Sequence, residues 1–136
     1  MSVKVRVRGV KGMERRLRRV GPELLDESVK YGIKRGKRNA PVRTGQLAAS
    51  IRLLRPGRTS ALFGTKLSYA KYVEYGRGPV RPKRAKALRF KAGGSYIYVK
   101  YARPTKGKYF MRRTEAELSA AIPALSREVL GRLRLL

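Results

Sequence analysis

Three features of this 136-residue sequence predict an α+β fold: an antiparallel β-sheet packed by one long helix in the N-terminal half and by a C-terminal helix. Residues 3–8 alternate Val3, Val5 and Val7 with Lys4, Arg6 and Arg8, the period of a strand with one buried face. The runs 22–39 and 115–135 repeat apolar side chains every three or four residues, as amphipathic helices do. Between them, residues 51–101 carry short apolar and Tyr-rich runs broken by Gly and Pro, the signature of strands and turns. A chain of this length is expected to form a single domain over 1–136. Its 42% hydrophobic share supplies one modest core.

Gly9 and Gly12 end the first strand, and Met13, Leu17 and Val20 then fall at i, i+4 and i+7, predicting a short basic helix that Gly21-Pro22 closes. Pro22 suits the first turn of the next helix, and Glu23, Asp26 and Glu27 are favourable near its N-terminus. Leu25, Val29 and Ile33 form the stripe of that helix, with Gly32 and Gly36 close beside it. Each glycine costs about 1 kcal/mol relative to Ala. Either the helix is simply weak there, or the missing Cβ atoms admit a close neighbour. Its basic end, Lys34 to Arg38, complements the C-terminal dipole and offers a surface to phosphate.

Residues 40–45 read as a loop, and Gln46 to Ser50 as one further turn capped by Thr44. Ile51 to Leu54 and Ser60 to Gly64 flank Arg55-Pro56-Gly57-Arg58, a hairpin signal. Tyr69 to Tyr75 predicts a short helix stopped by Gly76. Residues 76–87 then read as a mobile loop whose basic run extends to Lys91, with strands at Leu88–Phe90 and Tyr96–Tyr101 joined across Ala92-Gly93-Gly94-Ser95. The whole span 76–91 is expected to stay mobile in the free subunit. The closing helix carries Leu118, Ile122, Leu125, Val129 and Leu133. Pro123 lies inside it, and because the stripe stays in phase a single kinked helix is expected.

Charge narrows the function. With 35 basic residues against 8 acidic ones the net charge is +27, and Arg outnumbers Lys by 22 to 13. From Ser28 to Thr114 there are 24 basic residues and one acid, Glu74. Self-repulsion on this scale calls for polyanions or counterions, and the planar guanidinium fork suits phosphate oxygens. An acidic substrate, a membrane surface or nucleic acid would each answer this pattern, and nucleic acid is the leading candidate. No run reaches the roughly 18 apolar residues of a membrane span, and the first residues lack a signal-peptide core, so an intracellular product with no membrane partner is expected.

Catalysis lacks its parts. The absence of His and Cys removes the usual general base, thiol nucleophile and soft metal ligands, so no metal, no cofactor and no enzyme activity are expected. Glu115 and Glu117 are two apart on a helix and point to different faces. Gly76-Arg77-Gly78-Pro79 is too short for a phosphate loop. Glu74, between Lys71 and Arg77, is expected in a structural or inter-subunit salt bridge. The seven basic residues Arg77, Arg81, Lys83, Arg84, Lys86, Arg89 and Lys91 are the candidate contacts to DNA or a partner. Tyr96, Tyr98 and Tyr101, interleaved with Lys100 and Arg103, admit a base-stacking reading but fit an ordinary half-buried strand better.

Taken in order, three stretches carry a family resemblance: Asn39-Ala40-Pro41-Val42-Arg43-Thr44-Gly45-Gln46-Leu47 with Ser50-Ile51; Tyr69-Ala70-x-Tyr72-Val73-Glu74-Tyr75-Gly76; and Ala102-Arg103-Pro104 followed by Tyr109-Phe110-Met111-Arg112-Arg113. This pattern resembles the tail-completion, or head–tail joining, minor proteins of long-tailed double-stranded-DNA phages. Arg43 stands where that family commonly has an acid, Arg77 replaces a Thr, and Lys106-Gly107-Lys108 is inserted before Phe110. The resemblance implies a structural virion protein of the neck or tail top, made in the host cytoplasm. It implies a homo-oligomeric ring, hexameric or dodecameric, that meets other neck and tail-tube proteins and surrounds passing DNA. Pro41, Thr44, Gly45, Leu47, Tyr69, Tyr72, Glu74 and Gly76 carry the family motif and are expected to be structural. The alternative is a free-standing, sequence-nonspecific nucleic-acid-binding protein of ribosomal or nucleoid type.

Overall fold

The computed structural model describes residues 1–8 and 18–135. Its elements run β1 (Ser2–Arg6), α1 (Val20–Asn39), α2 (Gln46–Ser50), β2 (Arg52–Arg55), β3 (Ser60–Gly64), α3 (Ala70–Tyr75), β4 (Gly76–Arg77), β5 (Leu88–Ala92), β6 (Ser95–Val99), β7 (Thr105–Lys106) and α4 (Phe110–Arg132). The basic helix expected from Met13 falls on residues outside the described set. Val20, its expected last member, is instead the first residue of α1.

The main sheet is antiparallel with order β1-β3-β2. Val3 pairs with Phe63 and Val5 with Ala61, so the valines expected on the buried face share it with the buried residues of β3. β1 stops at Arg6, although the Val7 N–H still donates to the Thr59 carbonyl at 2.6 Å. The 52–64 hairpin forms as expected, with a register shift between Leu53 and Arg55.

Helix α1 lies on this sheet and α4 packs along α1. The buried positions of α1 are Gly21, Leu25, Ser28, Val29, Gly32 and Gly36, while Ile33 sits at the margin of the core. The stripe thus runs 25, 29, 32, 36, and the glycines form its C-terminal half. An added Cβ at Gly32 would lie 2.6 Å from Cε1 of Phe63, whose ring is fully buried. Close packing, rather than tolerated weakness, is the reason for glycine here. At Gly36 the same atom would meet Ile51 at 3.4 Å and Thr114 at 3.8 Å, ordinary contact distances.

α4 is one continuous helix with Pro123 inside it, as the unbroken stripe predicts. It begins at Phe110, five residues before the expected 115, and buries Phe110, Met111, Thr114, Leu118, Leu125 and Val129. The larger correction concerns the middle of the chain. Among the described residues the strands of 51–106 do not join one sheet: β4-β7 and β5-β6 are separate two-stranded pairs. The alternation in β6 predicts a half-buried strand, yet Tyr96, Ile97 and Tyr98 are 53%, 49% and 65% exposed.

Candidate nucleic-acid and partner interface

Each of the two motif segments, 39–51 and 69–76, bonds to the start of α4, the first through Asn39 and the second through Glu74. Asn39, at the end of α1, donates from Nδ2 to Thr114 Oγ1 and to Glu117 Oε2, both at 3.1 Å. Gly45 adopts φ +80°, a left-handed conformation that suits glycine, and starts α2. The cap position is Gly45 and not the expected Thr44, whose Oγ1 instead accepts the Gln46 N–H at 3.4 Å in a local turn just before the helix. Leu47 is buried in the core, Pro41 is half-buried, and Tyr69 Oη donates to Gln46 Oε1 at 3.5 Å, joining the two motif segments.

Glu74 corrects the sequence reading. It is 2% exposed and, among the described residues, makes no ion pair. Its carboxylate accepts the backbone N–H groups of Met111 at 2.8 Å and Arg112 at 3.0 Å. These are donors of the first turn of α4, which have no partner within the helix. Tyr109 precedes the helix at φ +50° and supplies no side-chain cap, so a residue from another segment does the capping. The backbone is laced to match: Lys108 N–H donates to the Val73 carbonyl at 2.7 Å and Tyr109 N–H to that of Glu74 at 3.1 Å. Gly76 holds φ +88°, and a Cβ there would lie 2.6 Å from the Thr105 carbonyl oxygen. Glycine is what lets β4 approach β7.

The candidate contact residues do not all lie in one loop. Arg77 is in β4, and Arg89 and Lys91 are in β5. Val80 and Ala102 form an isolated bridge with bonds of 3.0 and 2.9 Å. The expected mobile loop of 76–91 is therefore pinned at both ends and midway, and only 78–79 and 81–87 lack a regular element. Arg81, Lys83, Arg84 and Lys86 are exposed on the longer of these stretches, with the Arg81 guanidinium 5.3 Å from the Tyr101 ring. Arg77 is half-buried; its Nη2 donates to the Arg103 carbonyl at 3.4 Å, while its Nε is shielded and unbonded.

Antiparallel register gives the β5-β6 hairpin two unlike faces. Leu88 opposite Val99 and Phe90 opposite Ile97 make one apolar face; Arg89 opposite Tyr98 and Lys91 opposite Tyr96 make the other. Arg89 stacks on Tyr96 at 4.6 Å. Between the hairpin and α3 lies a groove of about 490 Å³ that includes Phe90, Tyr69, Tyr72 and Pro41, with Arg43, Arg77, Lys106 and Lys108 also lining it. Sequence reasoning missed this groove, because its walls come from four separate segments. Among the described residues, no group of acidic side chains is arranged to hold a metal ion, and no helix is long and apolar enough to cross a membrane.

No curated protein and no solved structure matches the chain. Residues 8–76 match the family described as "Bacteriophage HK97-gp10, putative tail-component". That span holds β2, β3 and both segments that bond to the start of α4; the basic stretch and the β5-β6 hairpin lie beyond it. Covering half of the sequence and bearing the motifs whose geometry is given above, this match shows that the chain belongs to the HK97-gp10-like family of phage tail components.

Proposed function

We propose that this tail component is a tail-completion subunit of the phage neck, acting as one single-domain member of a homo-oligomeric ring whose basic surface faces the passing DNA. The observation that carries the reading is the basic face of the β5-β6 arm, together with the exposed basic stretch before it. Arg81, Lys83, Arg84, Lys86, Arg89 and Lys91 are exposed together, and no acid lies between Glu74 and Glu115. A ring lumen lined by such arms holds DNA through phosphate contacts that read no sequence. The apolar interiors and backbone caps of the motif residues have only to hold the arm's base in place. Neck and tail-tube proteins are the neighbours above and below, and the ring itself is hexameric or dodecameric.

Replacing Arg81, Lys83, Arg84 and Lys86 together by Ser tests the DNA-facing assignment. Exposed charges contribute little to folding, so the melting temperature should barely move. Affinity for duplex DNA should fall alike for all sequences, and the slope of log affinity against log salt should flatten by up to about 0.9 for each phosphate no longer neutralised. An unchanged slope together with normal virion assembly would refute the assignment.

The stacked pair Arg89–Tyr96 and the exposed Tyr98 favour a second reading, a free-standing nucleic-acid binder that stacks bases on this face. That reading predicts tighter binding to single strands than to duplex, weakened by Tyr96→Ala and Tyr98→Ala. A ring around duplex DNA predicts neither.

A further inference from the structure

The apolar face of the β5-β6 hairpin is only partly covered among the described residues: Leu88 and Val99 are half-buried, and the pair nearer its tip is exposed. Phe90 and Ile97 are 40% and 49% exposed, and Tyr72, across the groove, is 47% exposed. An isolated two-stranded hairpin is marginal in water, and a joined apolar surface of this kind marks a place where another molecule docks. All four charged residues lining the groove, Arg43, Arg77, Lys106 and Lys108, are basic. Its occupant must therefore combine apolar side chains with carboxylates.

The chain itself carries such a surface. At the start of α1 and the end of α4, Glu23, Glu27 and Glu128 all converge on Arg132, at 3.5, 3.2 and 3.5 Å. Three carboxylates share one guanidinium, and the half-buried Leu130 and Leu133 lie on the same end of α4. In a protein of net charge +27 this corner is where acid gathers. The groove lies at the other end of α1, beside Pro41. Twenty residues of helix separate the two, a span of about 30 Å. Complementary patches at opposite ends of one chain give a head-to-tail contact, and a head-to-tail contact that closes makes a ring.

Resting on the ring reading above, we infer that the groove between the β5-β6 hairpin and α3 receives the Glu23/Glu27/Glu128 corner of the next copy of this chain. One face of the hairpin then seats the neighbour, while its Arg89–Tyr96 face is left for DNA.

The test uses two double variants of the full chain, read by native mass spectrometry and sedimentation with and without tail tubes. Tyr72→Ser with Phe90→Ser removes the apolar walls of the groove; Glu27→Lys with Glu128→Lys removes the corner. All four side chains reach solvent, and unchanged melting curves verify folding. The wild type should assemble. Each variant alone should stay monomeric to at least about tenfold higher concentration, since the altered patch no longer matches its partner in polarity or charge. A mixture of the two should form a one-to-one dimer and nothing larger, because each partner keeps one working patch. Variants that assemble as the wild type does would overturn this contact and leave the ring standing. Variants that form rings but no longer bind tail tubes would also overturn it, assigning the groove to a tail protein. A wild type that stays monomeric under both conditions would overturn the ring itself.

Discussion

Gly32 and Gly36 lie one turn apart on the same buried stripe, yet replacing each by Ala should change stability in opposite directions. A methyl at Gly32 would lie 2.6 Å from Phe63 Cε1, whereas carbon atoms pack at about 3.5–4.0 Å. The ring must therefore retreat by about 1 Å. Phe63 is fully buried in the central strand β3, with Val3 and Leu53 opposite it, so the ring moves only by disturbing its packed neighbours. Overpacking of this kind costs about 1–3 kcal/mol, and the helix regains about 1 kcal/mol from the better propensity of Ala. The net result is a loss of about 1 kcal/mol, reaching about 2. At Gly36 the methyl meets Ile51 and Thr114 at 3.4–3.8 Å, so the propensity gain of up to about 1 kcal/mol survives. Gly36→Leu should overfill the same space and cost about 1–3 kcal/mol. Thermal melts separate these outcomes, because 1 kcal/mol moves the midpoint by roughly 3–4 °C for a chain of this size. Phe63→Leu, which shortens the offending ring, should couple favourably to Gly32→Ala in a double-mutant cycle. If Gly32→Ala raises the midpoint as much as Gly36→Ala does, the close-packing argument is wrong.

Glu74→Ala strands two N–H groups at the start of α4 and should cost about 2–3 kcal/mol in urea unfolding; Glu74→Gln, keeping one acceptor, should cost about half that. A subunit that melts normally but fails to assemble would instead return Glu74 to an inter-subunit role. Arg132→Ala should scarcely change the melting temperature, because its ion pairs are exposed and screened. Lys30 has its pKa raised above 10.5 by its hydrogen bond and charge attraction to Asp26. Stability linked to a raised pKa is complete below the unfolded value and lost as pH climbs through the folded one. This pair should therefore add no pH dependence between pH 5 and 9 (about the range in which carboxylates are charged and lysines protonated), and a melting temperature that varies there would have to come from another group.

Period and punctuation made much of the fold legible. Val3 and Val5 declared the first strand, Pro56-Gly57 the hairpin, and the phase of Leu118, Leu125 and Val129 carried one helix through Pro123. The stripe of α1 was readable in part: a step of four pointed to Ile33, while the true helical period of 3.6 drifts onto Gly32 and Gly36. Two features were hidden for physical reasons. A carboxylate that caps a helix far along the chain bonds to backbone N–H groups, and these leave no trace in residue identity, so Glu74 looked like a partner for Lys71 or Arg77. Alternation in Tyr96–Val99 identifies a strand but not whether anything covers it, and the bare hairpin reads like a buried one. The candidate basic residues were visible as a run of charge. Their division between a pinned stretch, one face of β5 and a groove rim depends on the β4-β7 pairing and the Val80–Ala102 bridge, which join distant parts of the sequence.

The most direct test of the central claim is negative-stain imaging of the purified protein, alone and mixed with tail tubes. A tail-completion ring predicts uniform annular particles, or caps seated at one end of the tubes, with an opening wide enough for duplex DNA. A protein that remains monomeric, leaves the tube ends bare and retards RNA and DNA alike in solution would contradict it.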